Sequence, residues 1–286
     1  MSYDNLTLGQ KVTLACMLEV SAPKPGNVHR GADFEDLTFY DFIQSAVAIG
    51  SVFERHQVLS LGQLVFAAVE ATRSVVSTNT NLGLILLMAP LAKAGTPDSE
   101  GVRAVLTELQ PEDAELVYLA INSSKAGGLG DVVEMDVAER APKSLLAAME
   151  HASERDFIAA QYVNGFDDIL SVAAPKLYQN QQAGLSQIDA IVRTHVELMS
   201  LYPDTLIARK CGDEVARESA SRAGFVLEQV SNGEDEYLVA LADFDFWLRA
   251  DQHRRNPGTT ADIIGAALLI GLMAVSYTHL RAHETR

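Results

Sequence analysis

The stretch LTLGQKVTLACMLEV, residues 6–20, repeats its apolar side chains at intervals of three and four, the spacing of one face of an α-helix. The pattern stops at Pro23-Lys24-Pro25-Gly26. Each proline fixes its own φ and turns the preceding residue away from helix, so residues 22–26 are expected to form a rigid, non-helical excursion. The three-and-four spacing returns in residues 37–53, 61–76, 102–109, 114–121, 188–201 and 237–248, and no segment alternates convincingly as a strand would. Pro97 and Pro111 suit first-turn positions, and Ser186 with Asp189 has the form of a capping box opening a helix toward Tyr202. The fold class read from the chain is all-α, with ten or more helices packed in layers.

The 286 residues are 48% hydrophobic, enough for a large core. No repeat and no linker composition divides residues 1–275, so one domain is expected there. With 38 acidic against 22 basic residues the formal charge is −16, which argues against a nucleic-acid backbone or an anionic membrane as the main partner. An anionic substrate then needs a local basic cluster or a metal. Cys16 and Cys211 stand far apart without metal-ligand spacing, which points to reduced thiols in a cytoplasmic protein. Residues 1–10 do not have the form of a secretory signal, and the apolar runs 82–92 and 263–275 are shorter than the ~20 residues a bilayer requires, so both read as buried helices. Residues 122–142, with Gly127, Gly128 and Gly130, read as a long loop that matches no phosphate-loop spacing. Residues 276–286 (SYTHLRAHETR) break the texture of the chain and read as a non-native tail, set aside from fold and site.

Four polar islands interrupt the apolar helices, each at an expected helix end. The first runs from Glu19 through Lys24, His29, Arg30 and Asp33 to Asp36; the second is Thr78-Asn79-Thr80-Asn81-Leu82-Gly83. The third holds Asp204, Arg209 and Lys210, and the fourth, residues 254–262, holds Thr259 and Asp262. A helix N-terminus has free N–H groups and partial positive charge, a natural seat for phosphate. Asn79, Thr80 and Asn81 before one helix and Thr259 and Thr260 before another fit that seat, and equally fit plain N-capping. Magnesium takes one or two carboxylates plus phosphate oxygens, and Glu19, Asp33, Asp36, Asp204 and Asp262 are the candidates. Asp262 opens a very apolar helix, where it either binds metal or complements the helix dipole. Arg30, Arg209 and Lys210 suit phosphate recognition, and His29 and His253 suit proton transfer or simple hydrogen bonding. His195 is expected on a solvated helix face; Trp247, with Phe244 and Phe246, reads as core or interface. No serine or cysteine stands in an elbow or triad context, which disfavours a nucleophilic hydrolase.

In this order the islands resemble the triphosphoribosyl-dephospho-CoA synthase family. The resemblance lies in Glu19-Val20 leading to Pro23-Lys24-Pro25-Gly26, Val28 and Arg30; in Gly31-Ala32; in Asn79-Thr80 with Gly83; in Asp204-Thr205; and in Pro257-Gly258 with Ala261-Asp262. It implies an all-helical enzyme using ATP and magnesium, which expels adenine and transfers the triphosphoribosyl group to the ribose 2′-hydroxyl of dephospho-CoA. The chain departs from the family pattern at Asn81 and Leu82, where a histidine and a basic residue are usual. Further departures are Asp33 in place of histidine, His29 in place of aspartate, and Arg209-Lys210-Cys211 in place of histidine-arginine and a glycine. They point to a divergent branch with a related ribosyl acceptor or another cofactor pathway.

The expected roles follow. Lys24, Arg30, Asn79, Thr80, Asn81, Arg209, Lys210 and Thr259 bind the substrate; Glu19, Asp33, Asp204 and Asp262 hold magnesium; His29 or Asp36 serves the acceptor hydroxyl as base. The rival readings are a helical magnesium-dependent nucleotide or ADP-ribosyl hydrolase and a non-catalytic nucleotide-binding paralogue. The large share of apolar helix is compatible with a homodimer.

Overall fold

The structure is a computed structural model that describes residues 3, 5–96, 98–125 and 144–284; the side chains of Lys125 and of residues 275–284 fall outside that description. The helices in the first half are α1 (Leu8–Ser21), α2 (Phe39–Phe53), α3 (Leu61–Arg73), α4 (Leu82–Ala94), α5 (Ser99–Thr107), α6 (Pro111–Lys125) and α7 (Leu145–Ala152). Those that follow are α8 (Phe157–Asn164), α9 (Ala174–Gln182), α10 (Gln187–Leu201), α11 (Thr205–Cys211), α12 (Asp213–Glu228), α13 (Glu234–Arg249) and α14 (Gly258–Glu284). A π-helical stretch, Asp168–Ala173, leads into α9. No strand occurs among the described residues, so the protein is all-α as the periodicity predicts.

Local chemistry sets the helix starts. Thr7 with Gln10, Thr38 with Asp41 and Ser60 with Gln63 form reciprocal capping boxes on α1, α2 and α3. Pro111 opens α6, and the Ser186 hydroxyl accepts the Asp189 N–H at the start of α10, as expected. α5 begins later than Pro97 suggested, because Asp98 takes the cap by accepting the Gly101 N–H at 2.8 Å. Residues 122–125 belong to α6, and the rest of the expected loop 122–142 lies outside the described residues. The backbone of α14 continues to Glu284, into the segment read as a tail.

The largest core gathers α1 to α10 around α14, with a second cluster formed by α10 to α13. α4 is buried on every side from Leu84 to Ala92. Its Pro90 has no N–H for the carbonyl four residues back, Leu86; the buried Tyr162 hydroxyl donates to that carbonyl at 2.7 Å instead. Cys16 and Cys211 are free thiols. No helix among the described residues is long and apolar enough to cross a membrane.

Candidate active site

The loop after α1 is built as two turns. Lys24 O accepts the Asn27 N–H at 3.2 Å across Pro25 and Gly26, whose φ of 75° is the left-handed value a type II turn demands at that position. His29 and Ala32 exchange N–H···O bonds of 3.1 and 2.8 Å, which places Arg30 and Gly31 at an exposed tip. Inside the loop, Lys24 is 0% exposed; its ammonium is 2.9 Å from Glu19 Oε1 and also donates to the Glu19 carbonyl. Lys24, expected at the phosphates, is thus placed as the internal counter-ion of Glu19. Fully buried beside it is His195, not on the solvated face expected, with its ring against the Pro25 main chain. Burial and the Lys24 charge keep that imidazole far below its usual value, and therefore neutral.

Helix N-termini converge opposite this loop. Asp204 is the joint between two of them: Oδ1 accepts the N–H groups of Leu206 and Ile207 on α11, and Oδ2 accepts the N–H and hydroxyl of Thr260 on α14, all at 2.8–3.1 Å. Burial raises the Asp204 carboxyl, and these bonds partly offset the rise. Thr259 is buried and accepts from the Thr205 hydroxyl at 3.1 Å, while Thr205 accepts the Phe157 N–H at the start of α8. Asp156 caps α8 and lies 3.7 Å from Arg209.

Asp262, in the second turn of α14, faces the N-terminus of α4 and accepts the Leu84 N–H. A methyl group built on Gly83 would overlap Asp262 Oδ2 and come within 2.6 Å of Ile158 Cδ1, so only glycine admits the carboxylate there. Burial first, then Glu19, Asp204 and Asp156, push the Asp262 carboxyl well above the usual range. Asp262 is therefore more than a dipole complement to its own helix: it caps a different one amid like charges.

The remaining expected residues divide between this centre and its rim. Asn79 accepts the Leu82 N–H at 3.1 Å, Thr80 shares a 2.6 Å hydroxyl contact with Ser45, and buried Asn81 has no partner for Nδ2. Arg209 and Lys210 present much of their surface to solvent at the end of α11; partial desolvation of the Lys210 ammonium and then Arg209 lower its pKa, and Asp36 is the first carboxylate opposing them. Asp33 is turned away, accepting the Phe39 N–H of α2 at 2.6 Å. His29 Nδ1 accepts the Gly31 N–H at 3.1 Å, which leaves its proton on Nε2; burial and Arg249 hold its pKa down. His253 stacks on Phe34 at 4.0 Å beside the fourth island, and Asn27 Nδ2 donates to Asn256 Oδ1 at 2.7 Å, which joins the first island to the fourth. Trp247 lies under the guanidinium groups of Arg222 and Arg255 at 4.6 and 4.3 Å, a packed position that leaves little face for a base. Sequence reasoning passed over Asp156, although an aspartate before Phe157 and an apolar run is a legible cap.

As a fit for magnesium, no group of three or more His, Cys, Asp or Glu side chains stands at metal spacing among the described residues. Glu19 and Asp262 do offer the one or two carboxylates that magnesium uses alongside phosphate oxygens, and a cation there would favour the ionised form of Asp262 that its neighbours oppose.

Helix N-termini and crowded carboxylates meet at one place in an all-α protein. The chain belongs to the CitG family, ATP:dephospho-CoA triphosphoribosyl transferase, whose family model matches residues 5–279. It is also similar to a crystal structure from Archaeoglobus fulgidus, provisionally assigned as a triphosphoribosyl-dephospho-CoA synthase, with 26% identity and a TM-score of 0.62 over 81% of this chain and 97% of that one. No curated protein matches the sequence.

Proposed function

We propose that the protein transfers the triphosphoribosyl group of ATP to the ribose 2′-hydroxyl of dephospho-CoA or a related acceptor, with release of adenine. The observation that carries the reading is the meeting of the resembling residues at Asp262, which accepts the Leu84 N–H of α4 and feels the charges of Glu19, of Asp204 before α11 and of Asp156 before α8. The bond from ribose C1′ to adenine breaks with its electron pair leaving on the adenine nitrogen, a bond from C1′ to the acceptor oxygen forms, the hydroxyl proton passes to a base, and adenine takes up one proton from solvent, so that no net proton is gained or lost. Glu19 and Asp262 would hold magnesium, which would supply positive charge to a bound triphosphate. Exposed Arg30, Arg209 and Lys210 neutralise the remaining phosphate charge, and Lys24 fixes Glu19 from inside. The carboxylates oppose the positive charge that develops on the ribose as adenine leaves. Asp36, opposite Lys210, takes the proton; neutral His29 donates a hydrogen bond through Nε2.

The test is chromatographic detection of adenine from ATP and magnesium with and without dephospho-CoA. Release only with dephospho-CoA supports the transfer; release without it favours the hydrolase, and none in either case points to another acceptor or a binding role. In an active protein, Asp262→Asn is expected to lower the rate about 10²–10³-fold.

A further inference from the structure

Two residues outside every motif, Asp245 and Arg249 on α13, hold the loop that carries Lys24, His29 and Arg30. Asp245 Oδ1 accepts the Gly26 N–H at 2.7 Å, and Arg249 Nη2 donates to the Asn27 carbonyl at 2.6 Å. The two side chains are joined to each other, with Arg249 Nε 2.9 Å from both Asp245 oxygens. One ion pair thereby captures the N–H and the carbonyl of adjacent residues at a turn. The seat is tight, because a Cβ on Gly26 would come within 2.9 Å of Leu248 Cβ and of Pro257 Cδ. An i,i+4 pair on an exposed helix face contributes little to stability; this one reaches across the chain to a main-chain turn.

We propose that Asp245 and Arg249 are positioning residues for the transfer: they lock the Gly26–Asn27 turn, and through it fix Lys24 and Glu19 on one side and the His29–Arg30 turn on the other. The role rests on the reading given under Proposed function. A catalytic group displaced by about 1 Å can cost about 100-fold in rate, whereas loss of a partly exposed ion pair costs little stability. The pair also sets the field at His29, which Arg249 lowers and Asp245 raises; the other charges facing that ring are Lys24 and Asp33.

The experiment compares full-length wild type with Asp245→Asn, Arg249→Gln and Arg249→Lys. It measures adenine release over a range of ATP, the thermal midpoint, and the His29 titration by its imidazole proton resonances. The expected result is a 10–100-fold loss of kcat/KM in Asp245→Asn and Arg249→Gln with the midpoint lowered by no more than about 5 °C. Arg249→Gln should raise the His29 pKa, while Arg249→Lys, which keeps the charge but not the fork, should leave it near wild type and still lose rate. Rates within twofold of wild type, or rates that fall only in step with the folded fraction, overturn the proposal. If the wild type releases no adenine, the functional reading fails on its own; an unmoved His29 titration in Arg249→Gln then overturns the clamp, and a raised one supports it.

Discussion

The two ends of α4 obey different rules. From Leu84 to Ala92 every residue is buried, and even the carbonyl that Pro90 leaves free is taken by Tyr162. At the N-terminus, Asn81 is buried without a side-chain cap bond and with Nδ2 unpartnered, and the carboxyl facing the helix is raised by its neighbours. α14 divides the same way, apolar from Ile263 to Ile270 and polar at Thr259, Thr260 and Asp262. Unpartnered buried atoms also mark Asn27 and His253 around the loops, and Thr72, Gln161 and Ser219 carry others elsewhere in the fold. Unpartnered polar atoms and carboxyls held among like charges both cost stability, and the N-termini of α4 and α14 keep one of each, Asn81 and Asp262. The core ends hold the molecule together; the opposite ends carry polarity that stability does not require.

The strongest way to break this contrast is to add one methyl group at each kind of position. Gly83→Ala puts a Cβ onto Asp262 Oδ2 and against Ile158, so the carboxylate must move. Adenine release should fall about 100-fold, with a loss of ~1–3 kcal/mol in urea unfolding. Gly271→Ala on the same α14 meets nothing within 4 Å and carries no left-handed φ. It should stabilise by ~0.5–1 kcal/mol and leave turnover unchanged, because it removes only the backbone freedom of glycine. Equal effects at the two positions would mean that the helices are not divided as described.

A smaller effect sharpens the core side. Tyr162→Phe removes the side-chain hydrogen bond to the Leu86 carbonyl that Pro90 frees, and leaves that residue buried. Stability should drop ~1–3 kcal/mol by denaturant melt, with adenine release per folded molecule within twofold of wild type. A large loss of rate would couple the core half of α4 to the chemistry.

The core half was legible in the sequence because burial imposes periodicity, and the apolar runs of α4 and α14 are plain to read. Helices α8, α11 and α12 were harder: α11 has seven residues, and α12 buries mainly the small residues Ala216, Ser219 and Ala223, which leave little apolar signal. The site was legible as islands, because Glu19, Asp204 and Asp262 stand at helix ends that loops bring together. Their partners were not. Lys24 looks like a phosphate ligand until its burial against Glu19 is known, and His195 looks solvated because one helical turn carries both faces. Asp245 and Arg249 lie more than 200 residues from the loop they hold, a distance no local pattern encodes.

The gentlest test concerns the protons at the polar end. An unfolded aspartate titrates near pH ~4, and Asp262 titrates higher in the folded protein. Between those values the native state keeps a proton that the unfolded chain has released, so stability falls as pH rises through that window and levels off above it. Asp204, also raised by burial, adds to the same slope. Asp262→Asn removes one of the two contributions. Without nucleotide or magnesium, its stability should therefore fall less steeply than that of wild type above pH ~4, and the curves should separate further as pH rises. Magnesium should narrow the separation by stabilising only the wild type, since a cation at Asp262 favours the ionised form. Parallel curves would mean that the carboxylate ionises at no cost, and the polar ends of α4 and α14 would then be as well satisfied as their cores.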